Sequence, residues 1–373
     1  MAVMRITRVR AHSLRNPDPG REAVALVAVA IETDEGLTGL GSVGGFAVGA
    51  ETIIERQFAP LLVGADPSDI EAHWERCYNS LNRQGQRGTG VMALSGVDLA
   101  LWDLLGKSVG RPVTSLIGGG STRRVPVYLS SLSLSGRADR QVLLDEVAEG
   151  RRRGFTSFKY FTVHGSADGE KGRQIELEVL AEIRSIIGPH ADLMVDAHFG
   201  WDLPYARRML APLAELNAVW LENPIPIDDL AGYEVLARDG EVPLAAGESE
   251  RTRFPFISLL NAGVYYLQPD VNRVGGLTET LRICGLAASH QRPVAPHQGW
   301  LHTWHLIAAR ANCPIGEYFP RREPLPGNSL IWAALDGEPE AVEGSVTIPE
   351  RPGFGWRLNA RAVASYSSDA AER

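Results

Sequence analysis

Cysteine and lysine are both scarce in this sequence, and each shortage narrows what the protein can be. The 373 residues contain three cysteines, Cys77, Cys284 and Cys313, which are scattered along the chain. An odd number of isolated cysteines provides neither a disulfide framework nor the paired spacing of a zinc site. We therefore expect a protein of a reducing, cytoplasmic compartment.

A long apolar run and an excess of positive charge are missing as well. Residues 1–8 carry charges with no long apolar core behind them, so we expect no signal peptide. No apolar stretch looks as long as a membrane span. The 37 basic residues are outnumbered by 45 acidic ones, which leaves a formal net charge of −8. This balance argues against nucleic acid or an anionic membrane as a partner.

The shortage of lysine makes the position of each one informative. Lysine occurs only at Lys107, Lys159 and Lys171, whereas arginine is abundant. Lys159 lies near the end of a predicted strand, and we take it as a candidate site residue.

The predicted elements of residues 1–124 come in two groups, with strands first and helices afterwards. Strands are predicted at 5–14, 23–33 and 37–43, and helices at 51–62, at 92–109 and from Pro67, with Asp66 as the N-cap of the last. Grouping of this kind, without alternation, indicates an α+β unit.

From about residue 125 onwards, strands and helices alternate. Eight short apolar runs are predicted as strands, near residues 125–128, 156–161, 191–196, 218–222, 242–247, 264–267, 292–296 and 315–319. This alternation predicts a parallel (β/α) barrel over residues 125–345, after a first domain over 1–124. Residues 346–373 are β-like and turn-rich at their start, and we expect them to leave the barrel and pack on the first domain.

Three carboxylates stand at the ends of three consecutive predicted strands. Asp196, Glu222 and Glu248 are separated by two equal intervals of 26 residues, about the length of one βα unit. The C-terminal ends of barrel strands meet on one face, so these carboxylates should converge there. Hard oxygen ligands that repel one another in the absence of a cation suit Mg²⁺.

Several short motifs, in a fixed order, together suggest a family. They are Ala100-Leu101-Trp102-Asp103, Trp220-Leu221-Glu222-Asn223-Pro224, Ala246-Gly247-Glu248, Gln268-Pro269-Asp270 with Gly275-Gly276, Pro296-His297 and Pro352-Gly353-Phe354-Gly355. With these motifs the chain resembles the enolase superfamily, and within it the mandelate racemase subgroup, over nearly its whole length.

The resemblance implies a fold and a type of reaction. The fold would be α/β, a modified TIM (β/α) barrel with an α+β N-terminal capping domain that the C-terminal segment completes. The protein would be a homo-oligomer that binds one Mg²⁺ per subunit and a small-molecule carboxylate substrate. The reaction would begin with removal of the proton next to that carboxylate.

The resemblance also implies roles for individual residues. Asp196, Glu222 and Glu248 would be the metal ligands. His297 would be the general base, with Asp270 fixing its tautomer and raising the basicity of the other ring nitrogen. Glu317 would be an acid on the eighth strand, and we expect burial beside other carboxylates to raise its pKa so that it can donate a proton.

One departure from the family pattern concerns the second barrel strand. Family members commonly carry two lysines there, two residues apart, and this chain has Lys159 followed by Phe161. The missing lysine is the usual base on the face of the substrate opposite the histidine. Racemisation normally needs acid/base groups on both faces, whereas elimination needs one abstraction, so Phe161 favours a dehydratase. Lys159 would then hold the substrate carboxylate or act as a second acid/base.

A second departure is His198, where family members often have asparagine. If the strand continues past Asp196, the His198 side chain should point to the same side. It would then protonate the leaving hydroxyl or make a polar contact with the substrate. The 16–21 loop, with Arg21, and the glycine-rich 41–49 stretch correspond to the family's capping loops and should close over the substrate.

The sequence thus favours a Mg²⁺-dependent dehydratase of an aldonate or aldarate, which yields a 2-keto-3-deoxy acid. An epimerase, racemase or cycloisomerase that uses Lys159 opposite His297 remains an alternative. A non-catalytic sugar-acid binder on the same scaffold is a third possibility.

Overall fold

A computed structural model of the protein describes residues 4–15, 26–45, 47–120, 123–132, 139–321 and 330–367. Its N-terminal part is a three-stranded antiparallel sheet, ordered β1-β2-β3, with helices packed against it. The bounds of these elements are β1 Ile6–Leu14, β2 Leu26–Thr33, β3 Thr38–Val43, α1 Ala50–Ile53, a π-helical segment Ile54–Phe58, α2 Ala59–Leu62, α3 Ile70–Ser80, α4 Gly88–Ser108 and α5 Val113–Leu116. The predicted α+β unit is confirmed, whereas its predicted 16–21 loop lies outside the described residues.

The start of the second predicted helix was placed too early. Helix α3 begins at Ile70 with Asp69 at its N-cap position, and not at Pro67. The Asp66 carboxylate instead accepts hydrogen bonds from the backbone N–H and the hydroxyl of Ser68, at 2.9 and 2.7 Å. Aspartate bonds of this kind stabilise a turn in competition with helix formation.

Helix α4 is the most deeply buried helix of the capping unit and lies on β2 and β3. The close approach of α4 to β3 needs glycine, because a Cβ at Gly41 of β3 would lie 2.1 Å from the carbonyl oxygen of Gly96 of α4. With 21 residues and a mean hydropathy of 1.2, α4 is long and apolar enough to cross a membrane by length and composition. The expectation that no apolar stretch is long enough to span a membrane is therefore wrong. Helix α4 is apolar because it lies in the protein interior, where 78% of its apolar 18-residue window is buried.

The second part of the chain is the predicted parallel barrel. Its strands are β4 Arg124–Leu132, β5 Ser157–Phe161, β6 Asp192–Asp196, β7 Ala218–Glu222, β8 Leu244–Ala246, β9 Tyr266–Leu267 and β10 Gly316–Tyr318. The helices between them are α6 Arg140–Arg152, α7 Gly169–Ile187, α8 Leu203–Glu215, α9 Leu230–Asp239, α10 Phe254–Asn261, α11 Gly276–Ser289 and α12 Leu301–Ala309. The strands pair in the order β10-β4-β5-β6-β7-β8-β9, as alternation predicts.

The predicted strand near 292–296 is reduced to isolated parallel bridges. Leu267 pairs with Val294, and Asp270 pairs with His297. The Val294 N–H also donates to the carbonyl of Asn312 at 2.8 Å. The segment therefore continues the barrel wall beyond β9, with fewer ladder bonds than its neighbours.

The C-terminal segment returns to the capping unit, as the resemblance implies. Helix α13 Ile331–Ala334 and strand β11 Leu335–Asp336 precede this segment, and β12 Ser345–Thr347 stands at its start. The segment itself contains β13 Arg357–Leu358 and α14 Ala360–Tyr366. After β12 pairs with β4, the carbonyl of Gly353 accepts from Val113 of α5 at 2.9 Å. The Arg15 N–H then donates to the carbonyl of Tyr366 at 2.8 Å. Division of the chain at residues 124 and 345 remains a prediction.

Side-chain alternation along the strands divides the barrel into an outer core and an interior. A compact apolar layer fills the interior and is formed by Tyr128, Met194, Trp220, Ala245 and Ala295. Because side chains alternate along a strand, residues two positions further on point into the same interior, nearer the C-terminal face. That next layer carries polar and charged groups.

Candidate active site

Three carboxylates meet above the apolar layer of the barrel interior. Asp196 and Glu222 are the last residues of β6 and β7 and pair directly in the ladder, and Glu248 follows β8 by two residues. Each offers one oxygen within 4.8 Å of the others. The convergence that the equal spacing predicted is therefore present, while metal binding stays a prediction.

The charges of this cluster are poorly balanced. Burial raises the pKa of Asp196 and of Glu222, and repulsion by Asp196 raises that of Glu222 further. Asp196 Oδ2 is buried without a hydrogen-bond partner among the described residues. Three mutually repelling oxygen ligands with an unused acceptor fit a hard divalent cation such as Mg²⁺.

Lys159 lies below the carboxylates and is completely buried. Its Nζ is 2.7 Å from an oxygen of Glu222, 2.7 Å from one of Glu317 and 3.4 Å from Asp196 Oδ2. Burial lowers the pKa of Lys159, but the charges of Glu222 and Glu317 hold this pKa well above its usual value. A lysine held as a cation by carboxylates is a poor base, and Phe161 occupies the position beside it, with its ring centroid 4.8 Å away.

Glu317 of β10 is fully buried and held by three donors. Its carboxylate accepts from the Ser130 hydroxyl at 2.7 Å and from the Gln298 N–H at 2.8 Å, and it pairs with Lys159. Burial acts to raise its pKa, but the Lys159 and His297 charges hold the pKa of Glu317 below its usual value. The expectation of a raised pKa is therefore wrong, because the lysine below outweighs burial.

His297 and Asp270 form the dyad that the resemblance implies. The His297 Nδ1 lies 2.7 Å from Asp270 Oδ2, and its Nε2 lies 3.6 Å from Glu248 Oε2. Arg273 Nε, 3.1 Å from the same Asp270 oxygen, keeps the carboxylate ionised. Burial lowers the pKa of His297, but the Glu248 carboxylate and the Asp270 hydrogen bond raise it to about 9. One ring nitrogen is thus fixed by Asp270, and the other faces the carboxylate cluster.

The strand does not continue to His198, so the condition for its predicted direction is not met. The strand ends at Asp196, and His198 has a positive φ of 48°, so the alternation on which the expectation depended stops. Its side chain is exposed, with its ring centroid 6.5 Å from that of Phe161. The contribution of His198 to the cluster is its backbone N–H, which donates to Asp196 Oδ1 at 2.8 Å.

Sequence reasoning missed the polar residues that support this layer. The Trp220 indole donates to Glu222 Oε2 at 2.9 Å, and the Asn223 amide donates to Glu248 Oε2 at 3.1 Å. Gln268 is fully buried in the layer, yet its amide has no partner among the described residues. Counting every second residue from the inward-facing Tyr266 would have found Gln268.

Two family descriptions match this chain in consecutive parts. Residues 11–118 match the N-terminal domain of mandelate racemase and muconate lactonizing enzyme, and residues 142–362 match the enolase C-terminal domain-like family. These matches cover most of the capping unit and most of the barrel.

Similar proteins of known name cover nearly the whole chain. L-rhamnonate dehydratase of Saccharopolyspora erythraea is 34% identical over 347 residues, which are 91% of this chain and 85% of that protein. The structure of L-talarate dehydratase from Polaromonas sp. JS666, complexed with Mg and L-glucarate, has a TM-score of 0.86 at 30% identity and covers 98% and 97% of the two chains. A racemase from Streptomyces coelicolor A3(2) with bound magnesium has a TM-score of 0.86 at 28% identity and covers 97% and 99%.

Proposed function

The chain belongs to the enolase superfamily, in the family of mandelate racemase and muconate lactonizing enzyme, and we propose that it is a Mg²⁺-dependent dehydratase of a sugar acid. The substrate would be an aldonate or an aldarate. Relatives named for dehydration of L-rhamnonate and L-talarate support this class of reaction.

The observation that supports the proposal is an asymmetry beside the carboxylate cluster. His297 has one nitrogen fixed by Asp270 and the other directed toward Glu248. At the positions that the resemblance assigns to the opposite face of the substrate, this chain has Phe161 and a Lys159 already paired with Glu222 and Glu317. Elimination needs one proton abstraction, whereas racemisation needs a partner on each face, so this asymmetry favours elimination.

Asp196, Glu222 and Glu248 would hold the Mg²⁺. When bound there, a divalent cation would bind the substrate carboxylate and stabilise the negative charge that develops as the neighbouring proton leaves. It would also compensate the Glu248 charge, which contributes to the raised pKa of His297. The neutral imidazole would then be available near neutral pH.

The residues of this chain would then move the protons. His297 Nε2 would remove the proton on the carbon next to the substrate carboxylate, while Asp270 stabilises the resulting imidazolium. The hydroxyl on the next carbon would leave with a proton, and His297 is the group that has just gained one. His198 remains an alternative donor at the barrel mouth. The enol product would become a 2-keto-3-deoxy acid.

We assign Lys159 and Glu317 supporting roles in the same reaction. Lys159 offsets the negative charge beneath the cluster and can contact a substrate carboxylate. Glu317 is ionised before substrate binds, and repulsion from an arriving carboxylate would raise its pKa toward the acid form. Assembly into a homo-oligomer stays a prediction.

A turnover screen tests the proposal. The protein with Mg²⁺ should convert one or more members of a panel of aldonic and aldaric acids, including L-rhamnonate and L-talarate, into 2-keto acids. A His297→Asn protein prepared in the same way is the control for contaminating activity. Epimerised acids without 2-keto acid would favour the epimerase alternative, and an absence of any turnover despite binding would favour a sugar-acid binder.

A further inference from the structure

Gln268 carries a buried amide whose hydrogen-bonding capacity is unused. Its side chain is 0% exposed, and neither Oε1 nor Nε2 has a hydrogen-bond partner among the described residues. An amide removed from water without partners destabilises a fold by about 1–3 kcal/mol. A residue that is kept despite this cost requires an explanation.

Two other amides of the barrel are used by the fold. Asn223 donates to Glu248 at 3.1 Å, and Asn312, near the opposite end of the barrel, donates to the carbonyl of Cys284 at 2.9 Å. Gln268 differs from both, because only its backbone is engaged, with its N–H donating to the carbonyl of Ala246 at 2.9 Å. Its side chain therefore keeps hydrogen-bonding capacity that none of the described residues uses.

The position of Gln268 in the chain places it on the inward-facing side of its strand segment. Tyr266, two residues earlier, packs in the barrel interior, and Leu267 between them belongs to the outer core. Alternation therefore directs Gln268 inward. Its backbone N–H continues the ladder to the carbonyl of Ala246, and two residues further on Asp270 forms the bridge to His297.

We infer that Gln268 binds a hydroxyl group of the substrate, a role that rests on the proposed sugar-acid reaction. A primary amide offers one acceptor oxygen and a donor nitrogen. A hydroxyl also donates and accepts, so one hydroxyl, or two adjacent ones, can engage both ends. A carboxylate can only accept and an ammonium can only donate, so each would leave one end of the amide without a partner. Gln268 is thus a specificity residue for a polyhydroxy acid.

Ligand-free stability provides the first test, because it needs no substrate. Gln268→Met removes the amide and keeps a long apolar side chain, so the melting temperature should stay the same or rise. Asn312→Leu is the matched control, since it removes an amide that does have a partner and should lower the melting temperature. A fall for Gln268→Met as large as that for Asn312→Leu would mean that the amide already has a structural partner, such as an ordered water, and would overturn the inference.

Kinetics with L-rhamnonate and Mg²⁺ provide the second test. Gln268→Met should lower kcat/KM by about 10- to 100-fold, as expected for the loss of one or two hydrogen bonds, mainly through KM. Asn312→Leu should leave KM unchanged. The 4-deoxy and 5-deoxy forms of L-rhamnonate should identify the hydroxyl that Gln268 binds. The form that lacks this hydroxyl should have the same kcat/KM with the wild-type and Gln268→Met proteins.

The outcomes separate this inference from the proposed function. Suppose that the wild-type protein turns over L-rhamnonate and that Gln268→Met has the same kcat/KM as wild type with L-rhamnonate and with its 4-deoxy and 5-deoxy forms. The role inferred for Gln268 is then wrong, and the dehydratase proposal stands. If L-rhamnonate is not a substrate, the same comparison is made with the best acid of the screen and its deoxy forms. If no acid of the panel is bound or converted by the wild type, the proposed function fails and the inference fails with it.

Discussion

The three-carboxylate cluster at the barrel mouth and the seam between the cap and the barrel differ in how their buried carboxylates are partnered. The seam consists of Asp98, Asp103, His305 and their partners. Asp98 accepts from the backbone and hydroxyl of Thr278, at 3.0 and 2.5 Å. Asp103 accepts from the N–H groups of Leu40 and Phe354, at 2.8 and 2.7 Å. In the seam, each of these buried carboxylates is matched by donors from another part of the chain.

In the carboxylate cluster at the mouth, the buried acceptors outnumber the donors around them. The carboxylates of Asp196, Glu222 and Glu248 crowd one another, and within the described part of the chain Asp196 Oδ2 has only the Lys159 ammonium, 3.4 Å away, as an ion-pair partner. The Gln268 amide has no hydrogen-bond partner among the described residues. Local mismatch of this kind is expected at functional sites and must be offset elsewhere in the fold. The difference teaches that the seam stabilises the protein, while the mouth is arranged for groups that arrive from solution.

Two buried histidines show the same contrast. Burial lowers the pKa of both, and for His305 of the seam it brings the value to about 4. At the mouth, the Glu248 charge and the Asp270 hydrogen bond overcome burial and raise the pKa of His297 to about 9. The neighbouring carboxylates, and not the depth of burial, decide whether a histidine can hold a proton.

Removal of the metal should produce the largest effect at the mouth. Chelation should abolish turnover, and added Mg²⁺ should restore it. Glu222→Gln should weaken Mg²⁺ binding by more than about 10²-fold, because even outer-shell partners of metal ligands account for 10–100-fold. Its metal-free melting temperature should hold, since the amide can still accept from Trp220 and one repelling charge is gone. Calorimetric titration with Mg²⁺ measures the affinity, and full activity in a verified metal-free preparation would contradict the account.

Asp103→Ala should give the largest loss of stability in the seam. It leaves the N–H groups of Leu40 and Phe354 without acceptors and Lys107 without its partner at 2.6 Å. The free energy of unfolding should fall by about 3 kcal/mol, measured by urea denaturation. The kcat of the folded fraction should stay near the wild-type value. A large loss of kcat without loss of stability would contradict the assignment of a stabilising role to the seam and a catalytic role to the mouth.

A smaller effect concerns acid stability of the seam. His305 Nδ1 accepts from the Thr114 N–H at 3.0 Å, and its Nε2 lies 3.3 Å from the Phe354 carbonyl, so the neutral ring is required. Between an unfolded pKa of about 6.5 and a folded pKa of about 4, only the unfolded chain takes up the proton. The free energy of unfolding should therefore decrease as the pH is lowered across that window, by up to about 1.4 kcal/mol per pH unit.

The matched variant for this effect is His305→Gln, which cannot titrate in that range. Urea denaturation at pH 7 and pH 5 should give a smaller difference for the variant than for the wild type. Equal differences would show that His305 does not contribute to the acid sensitivity.

The features that sequence could predict were those set by chain spacing. The 26-residue intervals placed Asp196, Glu222 and Glu248 on one barrel face, and strand–helix alternation gave the barrel order. Contacts between distant strands could not be read in this way. The pairing of Glu317 with Lys159 reverses the expected pKa shift, and the turn at His198 ends the alternation that would have aimed its side chain inward.

The central claim, that His297 alone begins the reaction, is tested most directly by exchange of the substrate's α-proton with D₂O, followed by NMR. Wild-type protein with Mg²⁺ and a confirmed substrate should act on one configuration at the α-carbon. His297→Asn should lose both exchange and turnover, by about 10²- to 10⁴-fold or more, whereas Lys159→Met should affect substrate affinity more than exchange. If His297→Asn keeps exchange and Lys159→Met loses it, the base lies on the opposite face and the account is wrong.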